Sequence, residues 1–203
     1  MARTANPKTR PKLIEAGTAL ALEKGFADLT VDEVCRVAGL TKGAFFHYFR
    51  TKESLGMALL ASWLGNGDAA FADAPFWSIP DPLDRLHAYV DFVIETTESG
   101  PPGCLVGIFS QELWQSHPEI RAGCEAAFTA WAEGLADLIS QAKDLHVPRH
   151  QVDSLSLAYH FVAIFEGGMV LARAFKRQEL AVQRLRHFKD YLNLLFDPAR
   201  RQP

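Results

Sequence analysis

Cysteine is scarce in this sequence, and long uninterrupted apolar runs are absent. Cys35, Cys104 and Cys124 lie far apart, with no CxxC pair and no histidine at metal-ligand spacing, which argues against a disulfide scaffold and a zinc site. No run of about 18 apolar residues occurs that would span a bilayer, so no membrane partner is expected. Residues 1–12 are basic but are not followed by an apolar segment with a cleavage site. We therefore expect no secretory signal and a cytoplasmic location.

Motifs for catalysis and cofactor binding are missing as well. The chain contains no nucleophile elbow, phosphate loop, paired-histidine motif or glycine-rich dinucleotide turn. We therefore expect no enzymatic activity, no cofactor and no metal, and we interpret the seven scattered histidines as surface or capping residues. The chain does have 203 residues of which 48% are hydrophobic, enough to bury a sizeable core.

Charge is divided unevenly along the chain. Residues 1–52 carry nine Lys and Arg against five Asp and Glu, a balance of +4, whereas residues 53–203 carry twelve against nineteen, a balance of −7. A basic head attached to an acidic body suggests that the head binds a polyanion and that the body lies away from it.

Helical periodicity dominates, and strand alternation is almost absent, so the fold class is predicted as all-α with about nine helices. Thr30 and Glu33 have the spacing of a capping box, which predicts a short helix from Val31 to Ala38. Thr41 is predicted to cap a third helix that runs to about Tyr48. Further helices are predicted from Lys52 with a weak end at Gly65 to Gly67, from about Leu83 to before Ser99, from Leu105 to about Ser116, and from Pro118 to Val147-Pro148.

The third predicted helix can be phased from its apolar residues. With Phe45 and Phe49 placed in the core, the exposed face is predicted to consist of Gly43, Ala44, Phe46 and His47, with Tyr48 towards the edge. Small residues at the start of such a helix allow close approach to base edges. Lys42 is suited to donate to guanine or to a phosphate. Lys52, at the start of the next helix, is suited to a phosphate.

The residues that carry a family resemblance span about 50 positions of the head. They are Ala19-Leu20, Gly25-Phe26, Leu29-Thr30-Val31, Val34-Cys35, Ala38 to Gly43 and Phe46 to Leu55. This pattern resembles the tetracycline-repressor (TetR) family of transcriptional regulators. The resemblance implies phosphate contacts by Thr30, Thr41, Tyr48 and Lys52, and a groove-facing set of Lys42, Gly43, Ala44 and Phe46.

Two positions depart from the family pattern. Phe46 stands where the family usually has tyrosine, so a phenolic hydrogen bond is lost and apolar contact, for example with a thymine methyl group, is left. Ordinary packing of Phe46 is the alternative. Cys35 stands where the family usually has alanine, and we interpret it as a small buried thiol.

The resemblance implies a cytoplasmic, homodimeric transcriptional regulator, with repression as the expected mode. Its partners would be double-stranded operator DNA, a second copy of the chain and a small-molecule effector that releases the DNA. We expect a helix-turn-helix DNA-binding domain at residues 7–66 and a ligand-binding and dimerisation domain at residues 67–203. The alternative is a small-molecule-binding or enzymatic helical protein whose basic head is incidental.

The last two predicted helices carry apolar stripes with coiled-coil-like spacing. We expect these stripes to form a four-helix bundle between two copies, and the alternative is that they are internal core. The predicted dimer interface consists of Ala158, Val162, Phe165, Met169, Leu185, Phe188 and Leu192.

Aromatic residues in the body suggest a ligand cavity, although such residues more often form core. The candidate ligand-binding residues are Phe92, Cys104, Phe109, Trp114, Phe128, Trp131, His160 and Glu166. Glu166 is selected as a carboxylate on an otherwise apolar helix, which requires a partner if it is buried. Cys104 lies at a predicted helix N-terminus, a position that favours the thiolate, and we expect it to be accessible to solvent. A structural role is the alternative for Glu166, and plain packing is the alternative for Cys104.

Overall fold

The computed structural model describes residues 7–201, with side chains described for residues 7–196. Within this range the predicted all-α class is confirmed, with nine α-helices and one short pair of strands. The helices are α1 (Thr9–Lys24), α2 (Val31–Ala38), α3 (Lys42–Tyr48), α4 (Lys52–Ala72), α5 (Pro82–Ser99), α6 (Leu105–Glu112), α7 (Pro118–Leu145), α8 (Ser154–Phe175) and α9 (Glu179–Leu195), and the strands are β1 (His146–Pro148) and β2 (Phe196–Arg201).

Both ends of α2 and the start of α3 lie where the sequence predicts them. Both arms of the capping box are present, because the Glu33 amide donates to Thr30 Oγ1 and the Thr30 amide donates to Glu33 Oε2. Gly39 then adopts a left-handed conformation, with φ of 66°, that closes α2. Thr41 caps α3 by accepting from the Ala44 amide at 3.2 Å. These three predictions are confirmed.

The predicted ends of α4 and α6 are wrong. α4 continues through Gly65 to Gly67 and ends only at Ala72, because glycine weakens a helix by about 1 kcal/mol relative to alanine but does not forbid it. The effective stop is Ala74, which is extended before Pro75. α6 ends at Glu112 rather than Ser116, and a turn leads from there to Pro118 at the start of α7.

The strand pair is absent from the sequence prediction. β1 and β2 are antiparallel, with His146 opposite Arg201 and Pro148 opposite Phe196, so α7 stops short of the predicted Val147-Pro148 end. The interpretation of His146 as a surface or capping residue is also wrong, since only 2% of its surface is exposed. Its Nε2 lies 2.9 Å from Oδ1 of Asp81, the residue that caps α5.

By packing, the chain divides into two compact units. Unit 1 comprises the residues up to Ala70 together with Cys104–Ala126, and unit 2 comprises Phe71–Gly103 together with the residues from Ala127 onward. The later segment that contains α6 thus packs with the N-terminal helices. The division into domains at residues 66 and 67 stays a prediction.

The core of unit 2 lies among α5, α7, α8 and α9. α8 and α9 approach closely, because a Cβ atom added to Gly168 would lie 3.0 Å from the Ala181 Cα atom. By length and composition alone, α8 would be long and apolar enough to cross a membrane, with a mean hydropathy of 1.5 over its most apolar window. A core helix of a soluble protein passes the same test.

Candidate nucleic-acid interface

The orientation of α3 agrees with the phase predicted from its apolar residues. Phe45 and Phe49 are buried, whereas Phe46 is 52% exposed. The ring of Phe46 meets that of Phe45 edge-on at 5.3 Å, so the buried ring supports the exposed one. The outward face of α3, called the recognition face below, consists of the exposed Lys42, Gly43, Phe46 and His47 and the half-buried Ala44 and Tyr48.

The two threonines predicted to contact phosphate are both exposed, but their hydroxyl groups are used differently. Thr41 Oγ1 accepts a hydrogen bond from the Ala44 amide. Its own O–H group can therefore donate to a phosphate oxygen. Thr30 Oγ1 instead donates to Glu33 Oε2 at 2.7 Å. A phosphate contact by the Thr30 hydroxyl therefore requires that bond to be exchanged.

Lys42 is paired with an acidic residue that the sequence analysis did not single out. Its Nζ lies 2.7 Å from Asp32 Oδ1, and both side chains are largely exposed. The hydrogen bond and charge of Asp32 raise the pKa of Lys42, so the amine is fully charged at neutral pH. Asp32 holds this charge beside the recognition face, and a DNA base or phosphate would have to compete with it.

Lys52 is half-buried rather than extended into solvent. Its Nζ donates to the Ala27 carbonyl oxygen at 2.8 Å and lies 4.9 Å from the centre of the Phe26 ring. Burial lowers the pKa of the Lys52 ammonium group. The loop between α1 and α2 therefore fixes the position of this predicted phosphate contact.

The candidate ligand-binding residues are distributed over both units. In unit 1, Phe109 is core and packs against Phe26 at 5.0 Å, whereas Trp114 is 56% exposed. The candidates in unit 2 are the half-buried Phe92, Phe128, Trp131 and Glu166 and the exposed His160.

In unit 2 the structure connects two of these candidates through residues that the sequence analysis missed. Trp131 Nε1 donates to the Tyr89 hydroxyl oxygen at 2.6 Å. Phe71 joins Tyr89 to Phe92, with ring centres 5.6 and 5.2 Å away respectively. The aromatic cluster comprises Phe71, Phe76, Tyr89, Phe92, Trp131, Phe161 and Phe165. Only the aromatic character of these residues marks them in the sequence, because their proximity depends on how α5, α7 and α8 pack.

Cys104 occupies the predicted position but lacks the predicted accessibility. It precedes the first residue of α6, as expected, yet it is only 8% exposed. Cys35 and Cys124 are buried as well, so all three thiols are shielded from solvent. The expectation that Cys104 is solvent-accessible is therefore wrong.

The predicted dimer interface is largely buried inside a single chain. Phe165 is half-buried, and the other six residues, Ala158, Val162, Met169, Leu185, Phe188 and Leu192, are core. Their periodicity marks the faces on which α8 and α9 pack against their own neighbours, as the contact between Phe161 and Phe188 at 5.0 Å illustrates. These six side chains are not available to a second chain.

The opposite face of α8 is exposed and uncharged over most of its length. This outer face contains Leu155, Tyr159, Ala163, Gly167, Val170, Leu171 and Ala174, together with the exposed Ser156 and His160. Each of these residues lies three or four positions from another member of the set, which places them on one side of the helix. The sequence contains this second stripe, but the buried stripe is more regularly spaced and therefore gives the stronger signal for an interface.

A capped helix-turn-helix with an exposed basic and apolar recognition face defines a DNA-binding transcriptional regulator. Residues 13–59 match the family model for bacterial regulatory proteins of the tetR family, and residues 82–188 match the model for a tetracyclin repressor-like C-terminal domain. The chain belongs to the tetR family, and it is a ligand-responsive DNA-binding regulator.

Individual relatives agree with this assignment. The chain is 30% identical to the transcriptional regulator AcuR of Cereibacter sphaeroides, over 79% of this chain and 74% of that protein. It is 26% identical to the transcriptional repressor DhaR of Mycobacterium sp. strain GP1, over 88% of each. The crystal structure of regulatory protein TetR from Rhodobacter sphaeroides superposes with a TM-score of 0.75 at 30% identity, covering 93% of this chain and 99% of that one. These relatives are all regulatory proteins.

Proposed function

We propose that this regulator reads operator DNA through the recognition face of α3. Lys42, Gly43, Ala44 and Phe46 would contact base edges, with His47 on the same outward face, and Thr30, Thr41, Tyr48 and Lys52 would contact the flanking backbone. The observation that carries this assignment is the exposure of Phe46 directly above the buried Phe45. An apolar ring kept in water on a basic helix gains from contact with a thymine methyl group.

The proposed regulator acts as a homodimer that joins through the outer face of α8. TetR-family regulators typically bind operator DNA as homodimers. A second copy would cover the uncharged stripe from Leu155 to Ala174, and Gly167, whose Cβ position is open, would allow the two helices to approach closely. One recognition helix per subunit would then read two half-sites.

The proposed effector is a small molecule with apolar aromatic character, held in unit 2. Phe71, Phe92, Trp131 and Phe165 are half-buried members of the aromatic cluster, so part of each ring is available to a ligand. A coupling free energy of about 1–3 kcal/mol between effector and DNA would suffice for release. We expect the protein to work as a repressor in the cytoplasm, where operator DNA is found.

Two lysine variants test the DNA contacts. Lys52→Ala should weaken binding to all duplexes and reduce the log–log salt slope by about one, because one phosphate contact is lost. Lys42→Ala should instead reduce the difference between the preferred duplex and a scrambled one. Fluorescence anisotropy with DNA from upstream of the gene measures both, and Arg177→Ala, in the turn between α8 and α9, is the control for loss of a positive charge. Equal losses on every duplex for both variants would contradict base reading by Lys42.

A charge placed on the outer face tests the dimer. Val170→Glu, at a position 46% exposed in the single chain, should produce helical monomers in sedimentation velocity, because an unpaired charge in an apolar interface costs several kcal/mol. Gln183→Glu, on the exposed polar side of α9, adds the same charge and should leave the dimer intact. A dimer that persists in Val170→Glu would place the interface elsewhere.

A further inference from the structure

The loop between α1 and α2 is held by an acidic side chain that lies more than 80 residues away in the sequence. Glu112, the last residue of α6, accepts hydrogen bonds on Oε2 from the Phe26 amide at 2.7 Å and from the Ala27 amide at 2.9 Å. A carboxylate bonded to backbone N–H groups makes charge-assisted hydrogen bonds, which are shorter and stronger than neutral ones. All of these residues belong to unit 1.

The same short segment is held from its carbonyl side by Lys52. The Lys52 ammonium donates to the Ala27 carbonyl oxygen at 2.8 Å and lies above the Phe26 ring. Phe109, one turn before Glu112 on α6, packs against the Phe26 ring. The Phe26-Ala27 segment is thus fixed at its amides, its carbonyl group and its side chain.

Gly25 provides the space that the carboxylate occupies. Its φ is +93°, a value that residues with a side chain rarely adopt. A Cβ atom at this position would lie 2.3 Å from Glu112 Oε1, closer than two such atoms can approach. The backbone before the loop is therefore shaped to receive Glu112.

The loop leads directly into the DNA-binding elements. Three residues after Ala27 the chain reaches Thr30, which caps α2, and Lys24 closes the other side of the loop through a 2.6 Å ion pair with Glu33. We propose that Glu112 is a positioning residue for DNA binding, whose carboxylate holds the α1–α2 loop so that α2 and the Lys52 ammonium are placed for contact with the duplex. The part that concerns Lys52 rests on the phosphate contact proposed above.

The charge of Glu112 and its proposed positioning role predict opposite changes in DNA affinity when the residue is lost. Glu112 is an exposed negative charge in the DNA-binding unit, so its removal by charge alone would strengthen binding to a polyanion. Loss of a positioning contact would weaken binding. Glu112→Gln separates the two effects, because its side-chain oxygen can accept both amide hydrogen bonds without the charge.

The test uses the full-length protein and a duplex that the wild type selects from a random-sequence pool. We expect Glu112→Ala to bind this duplex about tenfold more weakly than the wild type, and Glu112→Gln to bind within about threefold. Glu119→Ala, which removes an exposed acidic charge from the first turn of α7 in the same unit, should not weaken binding. Backbone NMR should show the Phe26 and Ala27 amide protons shifted upfield in Glu112→Ala and largely restored in Glu112→Gln.

Two results would overturn the role of Glu112. One is a Glu112→Ala protein that binds as tightly as the wild type or more tightly. The other is equal weakening in Glu112→Ala and Glu112→Gln together with a matching loss of thermal stability, which would mean that the residue supports the fold as a whole. If the wild type selects no duplex at all, the proposed DNA contacts fail instead, so the two failures are distinguishable.

Discussion

Hydrogen bonds between near neighbours shape the DNA-binding elements of unit 1, whereas contacts between distant aromatic rings shape unit 2. Thr30 and Glu33, which cap α2, lie three residues apart. Trp131 and Tyr89, which join α7 to α5, lie 42 residues apart. The recognition face therefore follows from short segments of sequence, while the aromatic cluster exists only once the helices have packed. Substitutions in the two units should therefore have different effects.

The largest contrast is expected between two phenylalanines. Phe161 is fully buried and contacts the rings of Tyr89, Trp131 and Phe188, so Phe161→Ala should lower the free energy of unfolding by about 3–5 kcal/mol. Phe46→Ala, at an exposed ring, should lower it by about 0.5 kcal/mol or less while weakening sequence-specific DNA binding. Urea unfolding followed by circular dichroism measures both. Similar losses of stability would remove the distinction between a packing ring and a DNA-contacting ring.

A smaller effect is expected at the cap of α3. Thr41→Ala removes the acceptor for the Ala44 amide and should lower the free energy of unfolding by about 1 kcal/mol. Thr41→Ser keeps the hydroxyl and should retain most of the stability. The same urea titration tests this. If the serine variant were as unstable as the alanine variant, capping by the hydroxyl would not be what matters at this position.

Removal of the acidic partner of Lys42 should change affinity more than stability. Asp32→Asn releases Lys42 and deletes a negative charge beside the recognition face, so binding to every duplex should tighten by about two- to fivefold at low salt. Asp68→Asn in the exposed part of α4 is the matched control and should change affinity less. Anisotropy titrations at two salt concentrations decide the matter, and unchanged affinity in Asp32→Asn would show that Asp32 does not compete with DNA.

The smallest effect is a stabilisation by Glu33 that is lost only at acid pH. The hydrogen bond from Lys24, followed by that from Thr30, lowers the pKa of Glu33 from 4.5 to about 2. Because the folded-state pKa is the lower one, ionised Glu33 stabilises the protein above pH 4.5, and this stabilisation is lost as the pH falls towards 2. Glu33→Gln should therefore be less stable than the wild type near neutral pH, and the difference should shrink across that window. A constant difference at all pH values would contradict the linkage.

Features that depend on short-range interactions could be predicted from the sequence, whereas those that depend on long-range contacts could not. The cap at Thr30, the end of α2 at Ala38 and the outward phase of Phe46 depend on residues within one or two helical turns, and all three are confirmed. The apolar stripe that contains Phe188 predicts a dimer interface, and this prediction is wrong because periodicity does not say which chain covers a stripe. The hydrogen bonds that Glu112 accepts could not be predicted from the local pattern, because their donors lie 85 and 86 residues away in the sequence.

The 21-residue helix α4 combines two kinds of backbone environment in one continuous element. Its first half is anchored by the buried Leu55 and Leu59, whereas Gly65 and the residues that follow it up to Ala70 are mostly exposed. Amide protons escape to solvent when a helix segment opens locally, and opening is easiest where glycines are present and few side chains are buried. We therefore expect two rates of amide hydrogen exchange within α4. Exchange around Leu55 and Leu59 should require the unfolding of unit 1, whereas exchange between Gly65 and Ala70 should be much faster.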